Sequence, residues 1–85
     1  MKSSTKTVTT TAAEIIGVEP SNRQAWLHVV GTGTIYLGGT DVTSTNGLMT
    51  QKNTTPLGIR IPAGEPLWAV TATGSEEVRI LVEGD

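Results

Sequence analysis

With 85 residues, eight acidic against six basic side chains and no cysteine, the chain is one small domain without disulfides, and its single histidine excludes the usual Cys/His zinc site. A net charge of -2 and a pI near 5.2 offer nothing to a nucleic-acid backbone or an anionic membrane surface, both of which call for clustered Lys and Arg. Charged residues make up 16%, below the roughly 25% of ordinary soluble domains, and Thr, Ser and Gly take their place, so partners are expected among protein surfaces or neutral ligands.

The chain opens on a threonine-rich stretch, residues 1–13, in which Val8 is the only aliphatic side chain of any size. It is expected to form an N-terminal arm outside the domain of residues 14–85. That arm is either a disordered leader or an extended strand that orders by lying along another sheet or subunit, for which threonine is well suited. Glu14–Val18 reads as the first core strand and Glu19-Pro20-Ser21-Asn22 as the turn that ends it. Arg23–Val30 is the clearest strand. Its alternation sets Ala25, Leu27 and Val29 on one face and Trp26, His28 and Val30 on the other. Because both faces are largely apolar, a second sheet or a second subunit is expected to cover the Trp26 side.

Gly31-Thr-Gly33 turns the chain into a short strand at Ile35-Tyr36-Leu37, and Gly38-Gly39 turns it again. Residues 39–56 are polar and rich in turn formers. Asn46-Gly47 marks a tight turn, and Val42 and Leu48 are the residues expected to pin the loop to the core as small strands. A loop this long on so small a domain is the expected contact surface. Leu57, Ile59 and Ile61 share a face, Pro62–Pro66 is a turn, and Leu67–Ala72 is a strand. Glu77–Val82, with Val78, Ile80 and Val82 on one face, closes the domain before an acidic tail at 83–85. Some six short strands at regular spacing, with no 3.6-residue periodicity, predict an all-β fold: a small antiparallel β-sandwich or barrel with an extended N-terminal arm.

The chemistry-bearing residues are few. Gly31-Thr-Gly33 begins like a dinucleotide fingerprint, but Tyr36 stands where the third glycine belongs and no helix follows. His28, mid-strand, reads as a packed or hydrogen-bonded residue, and any Ser-His-Asp arrangement would have to recruit it. Glu14, Glu19, Asp41 and Glu65 could supply a carboxylate pair, though nothing in the sequence places two of them in one cleft. Asn53-Thr-Thr55 matches a glycosylation acceptor by chance. Arg23, Arg60 and Arg79 are strand-borne, either on a solvated face or bridging to a partner surface. Trp26 and Trp68 read as buried in the core or at a subunit contact, with a sugar-stacking platform as the alternative. No cofactor is expected. No run reaches the roughly 20 apolar residues of a membrane span, and polar residues follow Met1-Lys2 where a signal peptide has its apolar core, so a cytoplasmic site of synthesis is expected.

The succession of Ser21-x-Arg23 opening an apolar strand, residues 33–43 (Gly-Thr-Ile-Tyr-Leu-Gly-Gly-Thr-Asp-Val-Thr), Asn46-Gly-Leu48, residues 64–72 and a closing Glu77–Val82 resembles the small β-rich virion proteins of tailed bacteriophages. The resemblance covers about residues 14–82. It implies a non-enzymatic structural subunit made in the host cytoplasm and carried in many copies on the virion. Its implied role is decorating or cementing the capsid against the major capsid protein, with the neck, tail or fibre base, or a carbohydrate-binding module for host attachment, as alternatives. Lys6, Val8 and Thr10 on the arm, Asp41, Val42, Leu48 and Met49 on the loop, and Trp26 and Trp68 are the candidate interface residues. Deleting the arm is expected to weaken attachment and leave residues 14–82 folded. Small size and two-sided apolar strands favour a homo-oligomer, a trimer foremost.

Overall fold

The computed structural model describes residues 1–52 and 56–83, which form eight strands and, among the described residues, no helix. In chain order these are β1 (Lys2–Thr9), β2 (Ala13–Ile16), β3 (Arg23–Val29), β4 (Thr34–Gly38), β5 (Leu48–Gln51), β6 (Leu57–Ile61), β7 (Leu67–Thr71) and β8 (Ser75–Val82). They build two four-stranded sheets, ordered β1-β8-β3-β6 and β2-β7-β4-β5, with every neighbouring pair antiparallel. Strand 1 pairs with 8, 2 with 7, 3 with 6 and 4 with 5. This is the pattern of one long hairpin, its tip between β4 and β5, rolled so that successive pairs fall in alternate sheets. The β3–β8 and β4–β7 ladders zip the roll closed, giving the eight-stranded jelly-roll order and deciding for a sandwich over a closed barrel.

The period-2 alternation read from the sequence places the core. Ala25, Leu27 and Val29 of β3 and Val78, Ile80 and Val82 of β8 face inward from the first sheet, and Ile35, Leu37, Leu67 and Ala69 meet them from the second. Leu57 and Ile59 pack against this cluster from β6. In β2 the register shifts between Glu14 and Ile16, and the bulge lets Ile15 and Ile16 both be buried. Two turns depend on glycines of positive φ, Gly64 at 80° and Gly74 at 65°.

Three expectations are corrected. The N-terminal stretch is not an arm outside the domain: Lys2 to Thr9 pair residue by residue with Val82 to Ser75, and Val8, 2% exposed, belongs to the main core. The surface area of 4845 Å² agrees with the ~4,800 Å² expected of a compact chain of this mass, and the radius of gyration, 11.8 Å, with the ~12 Å expected of a compact domain. The reason is that β8 is eight residues long, and without β1 its outer edge would lie unpaired. Second, of the two covers expected for the Trp26 side of β3, the other sheet is excluded: that side forms the half-buried outer face of the sandwich, where a second subunit is the cover that is left. Third, Arg23 is not on a solvated face. It is 4% exposed, and its guanidinium donates to the Gly17 carbonyl at 2.6 Å, tying the end of β2 to the start of β3 across the two sheets.

Candidate contact surfaces

The loop between β4 and β5 is a compact structure with its own fastening. The Thr43 amide donates to Asn46 Oδ1 at 2.7 Å, Asn46 Nδ2 donates to the Asp41 carbonyl, and the Gly47 amide closes a turn on the Thr43 carbonyl at 3.0 Å. Val42, 5% exposed, lies over Gly38, where an added Cβ would stand 2.9 Å from its Cγ2. Gly38 pairs with Trp68, and Tyr36 with the buried Val70, so the loop seals a small second apolar layer on the outer face of the β2-β7-β4-β5 sheet. Gly47 is required there because a Cβ would meet Tyr36 Cβ at 2.6 Å and Val42 Cγ2 at 2.9 Å. Val42 pins the loop as predicted, though from a turn and not from a strand.

Leu48 begins β5 and does not pin anything: it is 57% exposed, and Met49 beside it is 61% exposed. Among the described residues β5 is a sheet edge, with β4 as its one strand neighbour. The other three edges carry devices that discourage strand addition. β1 turns Lys2 and Lys6 to the inter-sheet side, in register with the inward Val82 and Val78; β2, as short as β5, is bulged and contains Glu14; β6 contains Arg60 and lies between Pro56 and Pro62. β5, Leu-Met-Thr-Gln, contains neither charge nor proline. Together with Leu57 of β6 it borders a shallow trough of about 370 Å³.

A larger groove, about 460 Å³, lies on the outer face of the β1-β8-β3-β6 sheet. Two cross-strand rows floor it: Ser3, Leu81 and Trp26, then Thr5, Arg79 and His28, with Pro56 at the far wall. Trp26 stands opposite Gly58, whose missing side chain lets the indole lie close to the β6 backbone. The two tryptophans therefore cannot share one sugar platform, since Trp26 and Trp68 are on the outer faces of opposite sheets. The Trp68 Nε1 is buried without a hydrogen-bond partner.

The remaining chemistry resolves into structure. Gly31-Thr-Gly33 is a seat for a carboxylate of the same chain: the Gly33 amide donates to Glu76 Oε1 at 3.1 Å, and a Cβ on either glycine would collide with that carboxylate. Glu14, Glu19, Asp41 and Glu65 are all exposed and distributed over β2, the β2–β3 connection, the β4–β5 loop and the β6–β7 turn. Among the described residues no group of three or more His, Asp or Glu could hold a metal ion. No helix among them is long and apolar enough to cross a membrane. The Asn53-Thr-Thr55 acceptor and the end of the acidic tail lie outside the described residues.

Of the nine candidate interface residues, Lys6, Thr10, Asp41, Leu48 and Met49 are exposed and Trp26 and Trp68 half-buried. Val8 and Val42 are interior and are withdrawn as contact residues, because each is already covered within its own domain. The structure brings Leu48 and Met49 together on one edge and sets Trp26 apart in the groove. Lys6 faces the inter-sheet slot beside β2. The sequence reading passed over Arg79 and Leu81 as groove residues and Glu76 as the partner of the two glycines. Compared with family models, curated proteins and solved structures, the chain has no match in any of the three.

Proposed function

We propose that the protein is a non-enzymatic structural subunit of a tailed-bacteriophage virion, a decoration or cement protein that assembles as a homo-oligomer, a trimer, and contacts the major capsid protein. The observation that carries the contact is the unguarded β5 edge, where Leu48 and Met49 stand exposed beside free backbone positions. A strand-addition contact there supplies main-chain hydrogen bonds, and the two apolar side chains add burial around them. The jelly-roll order recurs in viral capsid and lectin domains, a fold-level analogy that supports the reading without carrying it. With extents of 33 × 28 × 16 Å the subunit is a thin plate, a shape that suits lying against a shell. A stable interface takes about 800 Å² per partner, roughly a sixth of this subunit's 4845 Å².

The test is the mass of the purified protein by light scattering, alone and with empty phage heads. The proposal expects a defined oligomer that binds heads saturably. A monomer that ignores heads and binds isolated tails in their place would move the subunit to the tail, and one that binds neither would end the virion reading.

A further inference from the structure

The groove on the outer face of the β1-β8-β3-β6 sheet is not used by the β5 edge, and its composition departs from that of the whole chain. On a protein of net charge -2, the groove is lined by Ser3, Ser4, Thr5, Trp26, Leu27, His28, Pro56, Arg79, Ile80 and Leu81, with a guanidinium and an imidazole and no carboxylate. Glu77, two residues before Arg79 and on the same face of β8, is the nearest acid along the strand and lies outside the lining. Its volume, about 460 Å³, falls in the range of small-molecule sites and is enough for one or two sugar rings.

We propose that this groove binds a carboxylated sugar, a uronic-acid residue of an acidic glycan. The ring's apolar C–H face stacks on the Trp26 indole, which is backed on its other side by the Gly58 stretch of β6. Arg79 lies one strand over and one row along from Trp26, a diagonal separation of ~7–8 Å in a sheet, within reach of a long side chain. The ring carboxylate then meets the planar guanidinium, which suits two-point recognition, and His28 flanks it from β3. Ser3 and Thr5 on β1 offer hydroxyls to the sugar's own, Leu81 adds apolar floor beside Trp26, and Pro56 forms an apolar wall. The composition as a whole pointed to neutral ligands; this groove is a local exception that the summed charge hides. The inference stands independently of the virion reading, because it uses none of the residues of the β5 edge.

The test is a fluorescence titration on Trp68→Phe, which leaves Trp26 as the only tryptophan, with a trimer of galacturonic acid and the neutral trimer of galactose as probes. The acidic trimer is expected to change the Trp26 emission saturably and to bind at least about tenfold more tightly than the neutral one. Arg79→Gln, at an exposed position that leaves the fold intact by circular dichroism, is expected to lower the acidic trimer's affinity about tenfold and leave the neutral trimer's unchanged. Equal affinity for the two trimers, no response to either, or an Arg79→Gln variant that binds the acidic trimer as well as its parent would each overturn the proposal.

Discussion

Two glycines in the β4–β5 loop receive opposite predictions for the same substitution. An alanine Cβ at Gly47 would stand 2.6 Å from Tyr36 Cβ, 2.9 Å from Val42 Cγ2 and 3.1 Å from the Thr43 carbonyl. Tyr36 Cβ is fixed by the β4 backbone and cannot rotate away, so the loop must lift off the sheet and uncover Val42. Overpacking of this kind costs about 1–3 kcal/mol, against which the stiffer unfolded chain returns about 0.4–1 kcal/mol. The net expectation for Gly47→Ala is a loss of about 1–2 kcal/mol. With an unfolding entropy of about 0.18 kcal/mol per degree for a chain of this length, that is a fall in Tm of roughly 6–11 °C. At Gly39 the nearest atom to an added Cβ is Asp41 Oδ1 at 3.6 Å, an ordinary contact, and φ is not positive. Gly39→Ala is therefore expected to leave Tm unchanged or raise it by a few degrees. Thermal unfolding followed by far-ultraviolet circular dichroism reads both. If the two variants shift Tm alike, or Gly47→Ala is the more stable, the packing of the loop onto Tyr36 described above is wrong.

Removal of residues 1–9 is expected to destabilise the whole domain, visible as a lower denaturant midpoint, because it strips the β8 edge and removes buried Val8; an unchanged midpoint would restore the picture of a detached arm. Arg23→Ala should cost about 1.5–3 kcal/mol in urea unfolding by leaving the Gly17 carbonyl without its charged donor. Gly74→Ala should cost about 1–2 kcal/mol in the same assay through its φ of 65°. Trp68→Phe should lie within about 1 kcal/mol of the parent, since the buried Nε1 it removes has no hydrogen bond to lose.

How much of this could be read beforehand depended on whether the signal was local. Strands β3, β7 and β8 were legible because alternation is a property of consecutive residues, and Leu27, Ile80 and Ala69 fell inward as the pattern demands. β1 was not, because Lys2, Ser4 and Lys6 at its inward positions, alternating with Ser3, Thr5 and Thr7, read as linker until the eight-residue β8 is known to lie beside them. β5 was read only as a small strand at Leu48 pinning the loop to the core; its pairing with Thr34–Leu37 shows Leu48–Gln51 to be a sheet edge with Leu48 exposed. Gly31 and Gly33 were recognised as a turn, yet their purpose rests on Glu76, 43 residues from the Gly33 amide that it accepts, and no local pattern carries that. The tryptophans show the same limit. Each sits on a half-apolar strand, and only sheet order reveals that Trp26 floors a groove while Trp68 lies next to the Val42 loop on the opposite side of the sandwich.

The proposed contact of the exposed β5 edge with a phage shell is tested most directly by comparing the parent with Met49→Lys in co-sedimentation with empty heads. Lysine at a 61% exposed position leaves stability within about 0.5 kcal/mol and guards the edge as the other three edges are guarded. Saturable binding by the parent and its loss in the variant, with identical unfolding curves, is the expected result. Equal binding by the two proteins would contradict it.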